Sequence, residues 1–193
     1  MTIQSDAEAD APKYYLKATV NARRLLATVN ADQWEASTPC TEWNVRQLVN
    51  HMVSSVRNAV SIMGGDGPQN FGDLLGDDPL GAFDTACTAA TAAFSAPGAM
   101  DEKVQTRRGE QVAREYALGQ VQEVLVHGWD LAVALGADTA MDSELVEMSY
   151  ARAVRNRERL RTGGSTAWGE SEADASEDAD TQTRYLAILG RSA

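Results

Sequence analysis

Between Arg114 and Leu135 the chain runs REYALGQVQEVLVHGWDLAVAL without a helix-breaking proline and closes on Gly136. Val121, Val124, Leu125, Leu131 and Leu135 recur so as to set much of this helix against other helices. The same run carries a carboxylate and an imidazole, Glu123 and His127, one helical turn apart. Burying either group is costly unless it has a partner. A fold for this chain must therefore pack a long helix against others and also supply polar partners inside.

The remaining segments point the same way. Pro12 opens a helix over residues 12–30, PKYYLKATVNARRLLATVN, with Leu16, Val20 and Leu25 on one face. Asn44 followed by Gln47 forms a capping-box pattern, so the next helix runs from Val45 to Met63 and stops at Gly64-Gly65. Its stripe is Val45, Leu48, Val49, Met52, Val56 and Val60, with His51 at the edge. A glycine- and aspartate-rich loop spans 64–78, and Pro79 starts a third helix ending before Pro97-Gly98. KVQTRRGEQVA reads as a brief hairpin or an extended crossover. Asp142 or Ser143 caps a helix over 144–161, and TQTRYLAILG forms a short terminal one.

Long helices with at most short strands between them specify an all-α helical bundle. At 193 residues one domain over 12–193 is expected, preceded by a disordered, acidic arm at 1–11. Hydrophobic residues make up 44% of the chain and aromatics only 6%, a balance that suits closely approaching helices. Glycine-rich nucleotide-binding signatures are absent.

The net charge of −11 argues against a broad basic face for nucleic acid or an anionic membrane. Part of that charge is local: residues 169–180 read as a solvated acidic loop within the domain. No apolar run is long enough to span a membrane, and the polar start is unlike a secretion signal, so a cytoplasmic location is expected. Two cysteines make neither a disulfide framework nor a thiolate zinc site. Cys87 reads as a small core residue. Cys40, in the loop leading to the His51 helix, is also assigned to packing.

Glu123 and His127 share a helix face, with Cβ atoms about 5–6 Å apart. Three roles are open to them. They form a stabilising couple worth about 0.2–0.5 kcal/mol if exposed. Alternatively, with His51 they hold one divalent metal between facing helices, leaving a fourth position open. In the third, His127 is a general base tuned by Glu123. The spacing E-x3-H excludes the zincin H-E-x-x-H arrangement. Asp130, three residues after His127, either receives the far ring N–H of that histidine or pairs with an arginine such as Arg46 or Arg114. Trp43 and Trp129 read as packing residues, and Gly128 as a point of close helix contact or room beside the site.

The runs TPCTEWNVRQLVNHMV, EVLVHGWDLAVALG and RYLAILGR resemble the actinobacterial DinB-like proteins of the mycothiol-dependent maleylpyruvate isomerase N-terminal-domain type, over residues 14–191. That resemblance implies a DinB-like four-helix bundle, here with an additional C-terminal helix, and a divalent metal, zinc foremost, held by His51, Glu123 and His127. It also implies mycothiol or a similar thiol as cosubstrate with a small electrophile, in a monomer or homodimer that binds neither nucleic acid nor membrane. The implied activity is thiol S-transfer or thiol-dependent isomerisation. The isomerase proper carries a further C-terminal domain that this chain is too short to contain, so maleylpyruvate isomerisation itself is not carried over. The alternatives are a non-catalytic metal-binding accessory or stress protein, and a metal-assisted hydrolase for which Asp130 is the one candidate base.

Overall fold

The computed structural model describes residues 10–41, 43–162, 172–176 and 178–192. Residues 1–9 of the expected arm and residues 163–171 of the tail lie outside the described residues, whereas Ala11, expected in the arm, is buried at the start of the first helix. Four helices make the bundle: α1 (Ala11–Leu26), α2 (Val45–Met63), α3 (Pro79–Ser95) and α4 (Ala113–Leu135). Each packs on two others, in the cyclic order α1–α3–α2–α4. A two-stranded antiparallel hairpin, β1 (Lys103–Thr106) and β2 (Gly109–Val112), joins α3 to α4. The connection is thus the hairpin and not the extended crossover. Beyond the bundle come α5 (Ser143–Arg155), α6 (Arg157–Thr162) and α7 (Thr181–Ile188); α5 and α7 pair, and α5 leans on α4.

The helix starts follow from side chains that satisfy otherwise orphaned N–H groups. The Asn44 side chain accepts the Gln47 N–H at 2.9 Å while the Gln47 side chain accepts the Asn44 N–H at 3.0 Å. Asp78 accepts from Gly81 at 2.9 Å, Asp142 from Leu145 at 3.2 Å and Asp180 from Thr183 at 2.7 Å. Asp180 belongs to the acidic stretch, and so does Glu172, which pairs with Arg157. The described part of that stretch is therefore partly engaged and not simply solvated.

Helix α4 is the axis of the molecule. From Gln120 to Ala132 every residue except Glu123 is buried. Against it α1 presents Tyr15, Ala18 and Ala22, which are buried, whereas Leu16 and Val20 are 49% and 38% exposed. The expected Leu16–Val20–Leu25 face is thus not the core face. The buried face mixes alanines with Tyr15 and Leu26, small residues where α1 comes close to its neighbours and large ones where it fills the core. Helix α1 also ends earlier than expected, since the Thr28 hydroxyl and N–H both bond the Leu25 carbonyl and tighten the last turn. The expected single helix over 144–161 breaks at Asn156, whose side-chain amide donates to the Arg152 carbonyl at 2.9 Å.

Candidate metal centre

Helices α2 and α4 bring the two histidines together. His51 and His127 stand edge to face with ring centroids 4.9 Å apart, and Glu123 reaches both. Glu123 Oε2 lies 3.6 Å from His51 Nε2 and 3.4 Å from His127 Nε2. Two ligands on a tetrahedral zinc with bonds of roughly 2.0–2.1 Å stand about 3.3–3.5 Å apart. The 3.4 Å separation matches the edge of such a tetrahedron and the 3.6 Å one lies just beyond it. Among the described residues, His51 Nε2 and Glu123 Oε2 are buried yet make no hydrogen bond. Buried polar atoms seldom remain so without a ligand or water to satisfy them.

Behind His127 lies a second set of groups. His127 Nδ1 is 3.0 Å from Asp130 Oδ2, a distance that suits Nδ1–H donating to the carboxylate and leaves the Nε2 lone pair facing Glu123. Arg191 donates from Nε to Asp130 Oδ1 at 3.1 Å and from Nη2 to Oδ2 at 2.9 Å. The same Nη2 donates to Cys40 Sγ at 2.9 Å, and the Cys40 thiol donates to Asp130 Oδ2 at 3.2 Å. Cys40 is set there by Thr38, whose hydroxyl donates to the Trp43 carbonyl at 2.8 Å and accepts the Cys40 N–H at 3.2 Å.

Two trios could therefore hold an ion: His51, Glu123 and His127, or Cys40, His127 and Asp130. They use opposite nitrogens of the His127 ring. The second already has its cation, because the Arg191 guanidinium touches both the sulfur and the carboxylate. The rear trio is thus already neutralised by a guanidinium.

Without an ion, Asp130, Cys40 and Glu123 favour a proton on the His127 imidazole, which metal binding would have to displace. Burial alone would push the Glu123 pKa up, but the two histidines outweigh it and hold the carboxyl below its usual range. Burial would likewise lower His127, yet Asp130, Cys40 and Glu123 together hold it well above the ordinary imidazole value. Asp130 would be raised by burial and is instead lowered by His127 and Arg191.

On its open side the trio meets a cavity of about 380 Å³ whose walls include His51, Glu123, Ser54, Gln122 and Arg152, with Arg107 and Arg108 of the hairpin. Trp43 covers the other flank of His51, with ring centroids 4.4 Å apart and a 31° tilt. It packs, as expected, but on the site itself. Of the expected partners of Asp130, Arg46 pairs with Asp73 and Arg114 with Asp101. The arginine that does pair is Arg191, which carries no local signal within RYLAILGR. Cys40, expected only to pack, instead joins the polar group behind His127. Gly128 faces α1, where an added Cβ would make ordinary contact with Ala22 at 3.9 Å, so neither room beside the site nor unusually close contact explains it.

The family model described as the mycothiol maleylpyruvate isomerase N-terminal domain matches residues 15–132. This chain belongs to that family. The matched stretch contains His51, Glu123, His127 and Asp130 and ends well before Arg191. Two uncharacterized proteins from different strains of Mycobacterium tuberculosis are each 33% identical over 141 residues, covering 67% of this chain and 71% of theirs. The mycothiol maleylpyruvate isomerase fold is also visible directly. A crystal structure of the mycothiol-dependent maleylpyruvate isomerase superposes with a TM-score of 0.64 at 16% identity, covering 83% of this chain and 75% of that one. A histidine-to-alanine variant of it gives 0.67, also at 16% identity, over 86% and 76%. The DinB-like helical bundle expected from the sequence is the fold observed.

Proposed function

We propose that the protein is a metal-dependent enzyme that activates a low-molecular-weight thiol of the mycothiol type for S-transfer to, or isomerisation of, a small electrophile. His51, Glu123 and His127 hold the metal, zinc foremost, and Asp130 supports His127 from behind. The observation that carries this is the convergence of three ligand atoms, Glu123 Oε2 lying within 3.6 Å of both imidazole nitrogens, two of the three buried without a hydrogen bond, at the head of a cavity. The family name supports the thiol.

A divalent ion held by three protein ligands supplies a Lewis acid with an open position, which lowers the pKa of a bound thiol. The protein's own residues do the rest. Glu123 supplies the negative charge of the ligand set. Asp130 keeps the Nδ1 proton on His127, so that Nε2 faces the site as a lone pair. Trp43 closes one flank of His51, while the cavity admits reactants from the other. Hydrolysis is disfavoured by Asp130, its one candidate base. That carboxylate is fully buried and bonded by His127, Cys40 and Arg191 on the far side of the imidazole.

The test is turnover of a fluorogenic alkylating electrophile by purified protein, with and without mycothiol, before and after metal removal by a chelator. Conversion that needs both thiol and metal, and that falls to the uncatalysed rate in Glu123→Gln, is expected. Equal conversion by the stripped protein, or conversion without thiol, would contradict the proposal.

A further inference from the structure

Arg191 and Asp130 form a buried ion pair, 4% and 0% exposed, directly behind His127. Taking both charges out of water is expensive, and apolar residues in their place are often as stable. Stability is therefore a weak account of the pair.

Its geometry offers a better one. Helix α7 ends in a Schellman motif: the Arg191 N–H bonds the Leu186 carbonyl at 2.9 Å and the Gly190 N–H bonds Ala187 at 3.0 Å, with Gly190 at φ +74°. That turn carries the Arg191 side chain back into the bundle. There Nη1 is tied to the Leu189 carbonyl at 2.8 Å, while Nε and Nη2 fork onto the two oxygens of Asp130. A carboxylate held at both oxygens cannot swing, so Oδ2 stays directed at His127 Nδ1, 3.0 Å away.

We infer that Arg191 is a positioning residue: by clamping Asp130 it fixes the orientation of His127 and its Nδ1–H tautomer, which makes the C-terminal turn at 189–191 part of the metal centre. The inference rests on metal ligation by His51, Glu123 and His127 as proposed, and adds a residue beyond the stretch matched by the family model. The clamp acts on the ligand and touches neither metal nor reactants.

The test compares the full chain with Arg191→Met and Arg191→Lys, working well below the melting temperature of each. Zinc affinity is measured by chelator competition, and the visible spectrum of the cobalt(II)-substituted protein reports the ligand geometry. Partners behind a metal-bound histidine commonly change affinity about 10–100-fold. Arg191→Met is expected to weaken zinc binding within that range and to alter the cobalt spectrum. Arg191→Lys keeps the charge but lacks the fork, and should fall between; it carries the test alone if the methionine variant does not fold. A purely structural role predicts lower melting temperatures with parental affinity and spectrum, and that result would overturn the inference while leaving the metal site standing. A parent protein that binds no zinc would overturn both.

Discussion

At the scale of the residue, the site turns on one imidazole facing two ways. His127 Nδ1 meets a carboxylate already clamped by a guanidinium, and Nε2 meets a carboxylate shared only with His51 among the described residues. Each nitrogen thereby acquires a separate task. Breaking the rear assembly should be expensive. Asp130→Asn leaves the Arg191 guanidinium buried without its counter-charge, and losses for such changes run to about 3–5 kcal/mol. Urea unfolding of the metal-free protein would show it, and a loss below about 1 kcal/mol would mean that the pair is less desolvated than its burial implies. Cys40→Ser, in contrast, should retain metal, because the sulfur serves the rear assembly and not the ion.

At the scale of the element, the boundaries of α2 and α3 are legible in the sequence, whereas α1 ends early and the helix expected over 144–161 is split. Asn44 with Gln47, Pro79 and Gly136 each mark a boundary by satisfying or sparing a backbone group, and α2 and α3 begin and end where those signals place them. Burial is less legible. Leu16 and Val20 look like a core stripe, but the face of α1 that is buried carries Tyr15, Ala18, Ala22 and Leu26, and which face wins depends on how the neighbouring helices pack. Helix α5 offers a direct test of capping. Asp142 caps it and also meets Lys17 of α1 at 2.8 Å. Burial would raise the Asp142 pKa, yet Lys17 and the Leu145 N–H hold it below the ordinary value of 3.8. Its contribution to stability is therefore full above that value and is lost as pH falls through the depressed one. Asp142→Ala should cost about 1 kcal/mol at neutral pH, and parent and variant should converge in acid. A difference that grows on acidification would contradict the assignment.

At the scale of the whole molecule, four helices in a ring place α2 beside α4, and that adjacency assembles the centre. Helical spacing is enough to pair Glu123 with His127, and the family resemblance adds His51. Nothing in local pattern can pair Asp130 with Arg191, which lies 61 residues further along the chain and reaches it only through the docking of α7. If the ion binds the folded protein alone, zinc at 100 times its dissociation constant should stabilise the bundle by about 2.7 kcal/mol, and a chelator should reverse this. Calorimetry with and without chelator measures it directly. An unchanged melting temperature would mean that no such linkage exists.

Elemental analysis of the purified, zinc-reconstituted protein beside His51→Ala, His127→Ala and Cys40→Ser tests the metal centre most directly. About one zinc per chain is expected in the parent and in Cys40→Ser, as one three-ligand site implies, and none in either histidine variant. An ion retained in His51→Ala but lost in Cys40→Ser would place it in the rear trio instead, and a parent without metal would return Glu123 and His127 to the role of a buried helix pair.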